Sequence, residues 1–363
     1  MIMENLYLNN NTPSSNFKTK LAIIAIGSLL VLGIVGLLGY NSIFGAPQTQ
    51  AEFEQFTVPL PTDQRGGTLI DFTVANDLKN KGFIKNEWGF KYALGAAKVE
   101  PGAYKISKSM NAFKLASALK KGPYMKWVVI PEGLRKEQIA ELLASDLGWG
   151  QDVKTKWITV YTSLKYDEIE GIYFPDTYLI PADEDPLKVA DRLRAKFNEK
   201  FQPYANEALK QNIKWTTALR LASVVQREAA GKDDMPLIAG ILWNRLLKDM
   251  KLEVDATIQY VRDDQIHYGE VRYDKQPLSY ISDGGWWSQI KSGDKDIQSP
   301  YNTYRNKGLP PHPISNPGID AIEAVLSPEE TECLYYLHDS SRVIHCAKTY
   351  EEHQENIVTY LKK

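Results

Sequence analysis

Residues 217–260 read TALRLASVVQREAAGKDDMPLIAGILWNRLLKDMKLEVDATIQY. Three periodicities follow one another in this stretch. From Thr217 to Ala230, the residues Ala218, Leu221, Ala222, Val225 and Ala229 fall in one stripe at about 100° per residue, the mark of an amphipathic helix. Met235 to Lys248 reads as a second helix, with Pro236 in its first turn and Asp233 and Asp234 at its positive end. Lys251 to Tyr260 then alternates. Leu252, Val254, Ala256, Ile258 and Tyr260 share one side, and Glu253, Asp255, Thr257 and Gln259 share the other, which predicts a strand. Helices and short strands without βαβ alternation predict an α+β fold.

The same mixture extends upstream. Lys126 to Ile130 (KWVVI) reads as a strand, Pro131-Glu132-Gly133 as a turn, and the next segment as a helix with Ile139, Leu142 and Leu143 on one side. Residues 187–210 read as one amphipathic helix, with Val189, Leu193 and Phe197 at four-residue spacing. Gly and Pro concentrate between 269 and 318. Together these define a mixed α+β domain over 126–363. Ahead of it, Phe53–Leu60 reads as a strand, Asp71–Lys81 as a helix stopped by Gly82, Glu87–Ala97 as a second helix, and Ala103–Ile106 as a short strand after a Pro101-Gly102 turn. A further helix capped by Ser109 or Asn111 runs to about Lys121. This β-α-α-β order over 53–125 is the plan of a LysM-like sugar-binding module, one that unrelated small domains share.

Leu21 to Tyr40 (LAIIAIGSLLVLGIVGLLGY) carries no charge over twenty residues. At about 1.5 Å per residue it spans a bilayer core of about 30 Å. It is longer than the apolar region of a signal peptide, although Ala46 is a candidate cleavage position. Lys18 and Lys20 precede the span, whereas Glu52, Glu54 and Asp63 come before Arg65, the first basic residue after it. The positive-inside rule therefore expects residues 1–20 in the cytoplasm, 21–40 across the membrane, 41–52 as a linker, and the remainder outside.

The chain has 363 residues, a net charge of −2 and 43% hydrophobic residues, a composition that folds. A pI near 6.3 with no basic block argues against nucleic acid as the main partner. Two cysteines build neither a disulfide framework nor a four-Cys zinc site. With no HExxH, GxSxG or phosphate-binding glycine motif, no metal or cofactor is expected. Cys333, His338, His345 and Cys346 lie on a hairpin turning at Asp339-Ser340. Two readings of that group stay open, a cross-strand disulfide and a zinc site.

Four groups of residues offer chemistry. Glu228 borders the apolar stripe of its helix, where desolvation raises a carboxyl pKa and suits it to general-acid work; the alternative is a solvated residue at the helix end. Asn244 lies on the apolar side of the second helix, either as an interior hydrogen-bonding group or as a site residue, with Arg245 beside it as a salt-bridge partner. Asp255 and Thr257 are expected side by side on one strand face, facing a ligand or solvent. Tyr301-Asn302-Thr303-Tyr304 precede a rigid loop, Gly308–Ile314 and Asn316-Pro317-Gly318, that presents side chains or simply crosses over.

Taken together, these strings resemble one family, the YceG-like endolytic murein transglycosylases of bacteria. They are PGAYKI at 101–106, VVIPEGLRKEQIAELLA at 128–144, EGIYFPDTYLIP at 170–181, LASVVQREAA at 221–230, AGILWNRLLKDMKLEVDATIQY at 239–260, YNTY at 301–304 and GLPPHPISNPG at 308–318. The resemblance implies cleavage of MurNAc-β-1,4-GlcNAc bonds within peptidoglycan glycan strands, without water and with a 1,6-anhydro end. It places the catalytic carboxyl on Glu228 and candidate substrate-binding groups on Asn244, Asp255, Thr257, Tyr301, Asn302, Thr303 and Tyr304, with the core of the site in 215–318. Gln226 departs from the family's first acidic position. Residues 261–300, with Gly284-Gly285-Trp286-Trp287, look longer than usual, either as an extra lip on the glycan groove or as a surface loop over two packed Trp. Expected partners are peptidoglycan strands, the membrane through a single helix, and peptidoglycan synthases. The competing readings are a non-catalytic peptidoglycan-binding scaffold and a muramidase-type hydrolase.

Overall fold

The computed structural model describes residues 15–61, 74–162, 170–268 and 285–361. The N-terminal tail to residue 14, the expected helix start at Asp71–Thr73, the acids and base at 63–65, and 269–284 of the Gly- and Pro-rich region lie outside the described residues. The chain divides into two compact units, Met1–Tyr124 and Met125–Lys363.

The first unit opens with helix α1 (Ser15–Phe44), whose apolar part Thr19–Phe44 is long enough to cross a membrane and is exposed from Thr19 to Ser42, consistent with a single-pass anchor. After it, β1 (Phe53–Val58) pairs antiparallel with β2 (Gly102–Ser107), Phe53 opposite Ser107 and Val58 opposite Gly102. Between them lie α2 (Val74–Asn80) and α3 (Glu87–Leu94), and α4 (Ala112–Lys120) follows. The β-α-α-β order is therefore present. Phe56, Leu78, Phe90, Ile106 and Leu115 fill its core. Asn86 and Asn111 cap α3 and α4 by accepting from Gly89 N (3.1 Å) and Lys114 N (2.9 Å).

The second unit is mixed α+β. Strand β3 (Met125–Val129) pairs antiparallel with β4 (Thr177–Pro181), and α5 (Lys136–Leu147) and α6 (Gln151–Lys156) come between. Then follow α7 (Pro186–Lys210), α8 (Trp215–Glu228), α9 (Met235–Leu247), α10 (Asp255–Tyr268) and α11 (Ile319–Leu326). Helix α8 packs against α7, α9, α10 and α11, and its expected stripe residues Ala218, Leu221, Ala222 and Val225 are buried. Helix α7 buries Val189, Leu193 and Phe197, as their spacing requires. A hairpin of β5 (Tyr335–His338) and β6 (Ile344–Ala347), followed by α12 (Tyr350–Asn356), closes the chain.

The strand expected over Lys251–Tyr260 is corrected. Burial does alternate from Lys251 to Ala256, but helix α10 starts at Asp255 and buries Ala256, Thr257, Ile258, Tyr260 and Val261. The run before it forms no strand among the described residues: Glu253 sits at φ 53°, which breaks an extended path, and other groups satisfy the backbone. Arg245 Nη1 donates to the carbonyls of Lys251 (3.1 Å) and Leu252 (2.8 Å), and Thr303 accepts from Glu253 N (3.2 Å, carbonyl) and Val254 N (3.0 Å, hydroxyl). Asp255 sits in the first turn, where the helix dipole favours a carboxylate. Asp255 and Thr257 consequently do not share a face.

Asn316 ties three segments together. Its Oδ1 accepts from Tyr173 N (2.8 Å) and its Nδ2 donates to Glu170 Oε1 (2.7 Å), both buried, and Nδ2 also donates to the part-buried Leu134 O (3.0 Å). Removing that amide strands a buried N–H and weakens the support of a buried carboxylate. Asn316→Ala is expected to cost about 3 kcal/mol of stability. The check is urea unfolding followed by Trp fluorescence, which reports this unit because seven of the eight Trp lie in it; an unshifted midpoint contradicts the account.

Candidate active site

Helix α8 ends on Glu228, and the backbone turns extended at Ala229 (φ −67°, ψ 138°). The turn to α9 is tied by Asp234, whose carboxylate accepts from Ala230 N (2.9 Å) and Gly231 N (3.1 Å) and pairs with His338 Nε2 at 2.6 Å. Glu228 is half-buried, and both of its oxygens are engaged. Oε2 accepts from the Tyr336 hydroxyl at 2.8 Å, and Oε1 accepts from Ala256 N at the start of α10 at 3.4 Å.

Desolvation pushes the Glu228 carboxyl above the usual carboxylate range, and the negative charge of Asp255 adds to the rise. The hydrogen bonds from Tyr336 and Ala256, and the proximity of His338, work against it. A raised carboxyl binds its proton more tightly in the folded chain than in the unfolded one. Its contribution to stability is therefore full at acidic pH and is lost as pH rises through the folded midpoint.

Beside Glu228 lies the exposed Asp255, which accepts from the Tyr304 hydroxyl at 2.5 Å. Burial and that bond push the Tyr304 phenol up. Lys295 Nζ lies 4.2 Å from the Tyr304 ring centre, so the ring face carries a cation. Glu228, Asp255 and Tyr304 thus gather at the junction of α8, α10 and the 299–306 loop.

The other candidates from the sequence lie beneath them. Thr257, Asn302 and Thr303 are fully buried. Thr257 Oγ1 bonds to Val254 O (2.7 Å) and to Thr303 Oγ1 (2.9 Å). Asn302 Nδ2 donates to Lys295 O (3.0 Å) and Ile297 O (2.8 Å), and its Oδ1 accepts from Tyr304 N (2.9 Å). These three side chains bond one another and the backbone at the entry to α10 and at Tyr304. Tyr301 packs half-buried against Tyr260, ring centres 5.1 Å apart. Asn244 donates to the carbonyls of Thr331 (2.7 Å) and Cys333 (3.2 Å), a strap from α9 to the segment feeding the hairpin. Gly240 makes that approach close enough, since a Cβ there would lie 2.3 Å from Glu329 O. Arg245 adds a bond from Nε to Leu334 O at 2.6 Å.

Gln226 accepts from Gly318 N at 2.9 Å, a task that an amide or a carboxylate oxygen performs equally. Of the two readings of the GGWW segment, the packed one fits the described part. Trp287 Nε1 donates to Gln138 Oε1 (2.8 Å), and its ring lies 4.1 Å under the Arg227 guanidinium; the Trp286 ring lies 4.8 Å from Arg135. Cys333 and Cys346 are joined by a disulfide, Cα atoms 5.9 Å apart, which settles one of the two readings of the hairpin.

Tyr336 is the residue that sequence reasoning missed, and His338, weighed there only as a zinc ligand, pairs instead with Asp234. Tyr336 and His338 are two apart on β5 and so project from one strand face, towards Glu228 and Asp234 respectively. That period was readable, but nothing local indicated that the strand folds back onto the end of α8, more than 100 residues earlier.

The sequence matches the profile of the YceG-like family over residues 67–359. It is 28% identical over 315 residues to a Bacillus subtilis protein named endolytic murein transglycosylase, covering 79% of this chain and 81% of that one. It is 26% identical over 371 residues to a Streptococcus pneumoniae protein of the same name, covering 92% of this chain and 64% of that one. A crystal structure of a yceG-like protein from Listeria monocytogenes superposes with a TM-score of 0.53 at 26% identity, covering 84% of this chain and 99% of that one.

The Tyr336 bond favours ionised Glu228, so its loss must favour the protonated form. In Tyr336→Phe the titration midpoint of Glu228 is expected to move to higher pH, read as the ¹³C carboxyl resonance absent from Glu228→Gln. An unmoved midpoint refutes the contact.

Proposed function

Because the chain belongs to the YceG-like family, we propose that it is a membrane-anchored endolytic murein transglycosylase with Glu228 as its acid and base. The observation that carries this reading is the desolvated Glu228 carboxyl with raised proton affinity beside the Asp255–Tyr304 pair.

Protonated Glu228 gives its proton to the glycosidic oxygen between MurNAc and GlcNAc. The C1–O4 bond breaks, GlcNAc leaves with a free 4-hydroxyl, and positive charge develops at C1 and the ring oxygen of MurNAc. The 6-hydroxyl of the same MurNAc attacks C1 and returns its proton to the Glu228 carboxylate. The product is a 1,6-anhydro ring, no water is consumed, and the enzyme is restored. Glycosidases that use water or a covalent intermediate generally need a second committed carboxylate. Here the nucleophile is already part of the substrate and gains the proximity advantage of an intramolecular reaction. Asp255 supplies negative charge near the developing cation, and the Tyr304 hydroxyl holds it in place. Thr257, Asn302 and Thr303 position these groups from below, Asn244 straps the segment leading to the Tyr336 hairpin onto α9, and Tyr301 braces α10.

In this reading α1 anchors the enzyme at the cell membrane with its N-terminus in the cytoplasm, and the β-α-α-β module is LysM-like. The enzyme then trims or terminates glycan strands near the synthases that make them.

Glu228→Gln is expected to lower strand cleavage by at least about 10²-fold. Mass spectrometry of products from the unaltered enzyme should give ends lighter by one water than hydrolysed reducing ends. Hydrated ends point to a hydrolase, and undiminished cleavage by Glu228→Gln removes the assignment. Asp255→Asn removes a charge that raises Glu228, so the alkaline limb of the pH–rate profile should move to lower pH, with kcat lowered about tenfold. A limb that stays in place separates Asp255 from the acid.

A further inference from the structure

The first unit exposes an aromatic cluster where helix α1 ends. Phe44, the last residue of α1, is ringed by Tyr40 at 5.3 Å, Tyr92 at 5.8 Å, Phe113 at 5.2 Å and Trp88 at 6.2 Å between ring centres. Trp88 and Tyr92, one turn apart on α3, stack at 5.7 Å. These rings are not core: Trp88 is 60% exposed, Tyr92 64% and Phe113 41%. The core face of α3 is the other one, where Phe90 is fully buried. The contact with α1 is specific. A Cβ at Gly89 would lie 2.3 Å from Ile43 O, so only glycine lets α3 approach the helix end this closely, and Lys85 Nζ donates to the Asn41 carbonyl at 3.3 Å.

Depth follows from length. The uncharged run Leu21–Tyr40 fills a hydrocarbon core of about 30 Å. That puts Tyr40 at its edge and Phe44 about 6 Å further along the axis, at headgroup level. Rings touching Phe44 share that level. Trp and Tyr are favoured there because each joins an apolar ring to a polar tip. Charge agrees: residues 74–124 hold ten Lys and no Arg against only Asp77, Glu87 and Glu100, which suits an anionic lipid surface.

We propose that Trp88, Tyr92 and Phe113 insert into the headgroup region of the leaflet from which α1 emerges, so that the β-α-α-β module lies on the bilayer as a second attachment. This rests on the proposed membrane anchor. The rings and Phe44 form one apolar surface continuous with the span, and the net positive charge of residues 74–124 favours an anionic leaflet.

The test uses the full chain in nanodiscs containing anionic phospholipid, with and without bromine in the upper part of the acyl chains. Trp88 is the only Trp of the first unit, so the emission lost in the conservative variant Trp88→Phe is its own signal. Bromine is expected to lower that signal about twofold or more. Retention of the protein in native membranes through an alkaline carbonate wash reports the anchor separately. Retention with a Trp88 signal indifferent to bromine overturns the surface attachment and leaves the anchor standing. Release by the wash overturns the anchor, and the proposal with it.

Discussion

The second unit holds one half-buried carboxyl between partners drawn from separate parts of the chain. Glu228 is the last residue of α8, next to the orphan carbonyls of the helix end, whose partial negative charge also disfavours its ionised form. An isolated buried carboxylate is costly, and the chain meets that cost with two donors from distant segments, Tyr336 from the hairpin and Ala256 from the start of α10. The balance leaves a group that holds a proton readily and can still release it.

Those donors must themselves be fixed, and much of the buried polar structure does this. Asn244 and Arg245 strap the segment that leads to the hairpin onto α9. Thr303 and Asn302 fix the entry into α10 and the backbone of Tyr304. Asn316 fastens the 314–318 loop to the turn before α5, and Gln226 holds Gly318 in the same place. Each of these side chains bonds backbone, so each fixes the path of the chain.

Helices were legible in the sequence where their periodicity was long: α7, α8 and α9 fall within two residues of their expected limits, because an apolar stripe of three turns or more has few alternative readings. The stretch before Tyr260 was misread because burial alternates there without a partner strand. Arg245 and Thr303 satisfy the backbone from outside any sheet, and no local pattern encodes that. The position of Glu228 beside apolar packing was readable from its helix face. The interior roles of Thr257, Asn302 and Thr303 were not, since a polar residue on a motif looks the same whether it meets ligand or backbone. Tyr336 escaped for the opposite reason, as an ordinary aromatic on a short strand whose partner lies far away in the chain.

The disulfide gives the hairpin a history. Tyr336 lies within the loop that Cys333 and Cys346 close. A thiol pair in a reducing compartment would leave that loop open and the hydroxyl less firmly held against Glu228. Oxidative maturation therefore completes the surroundings of the acid, and a freshly made chain carries its carboxyl before it carries the lock that steadies it.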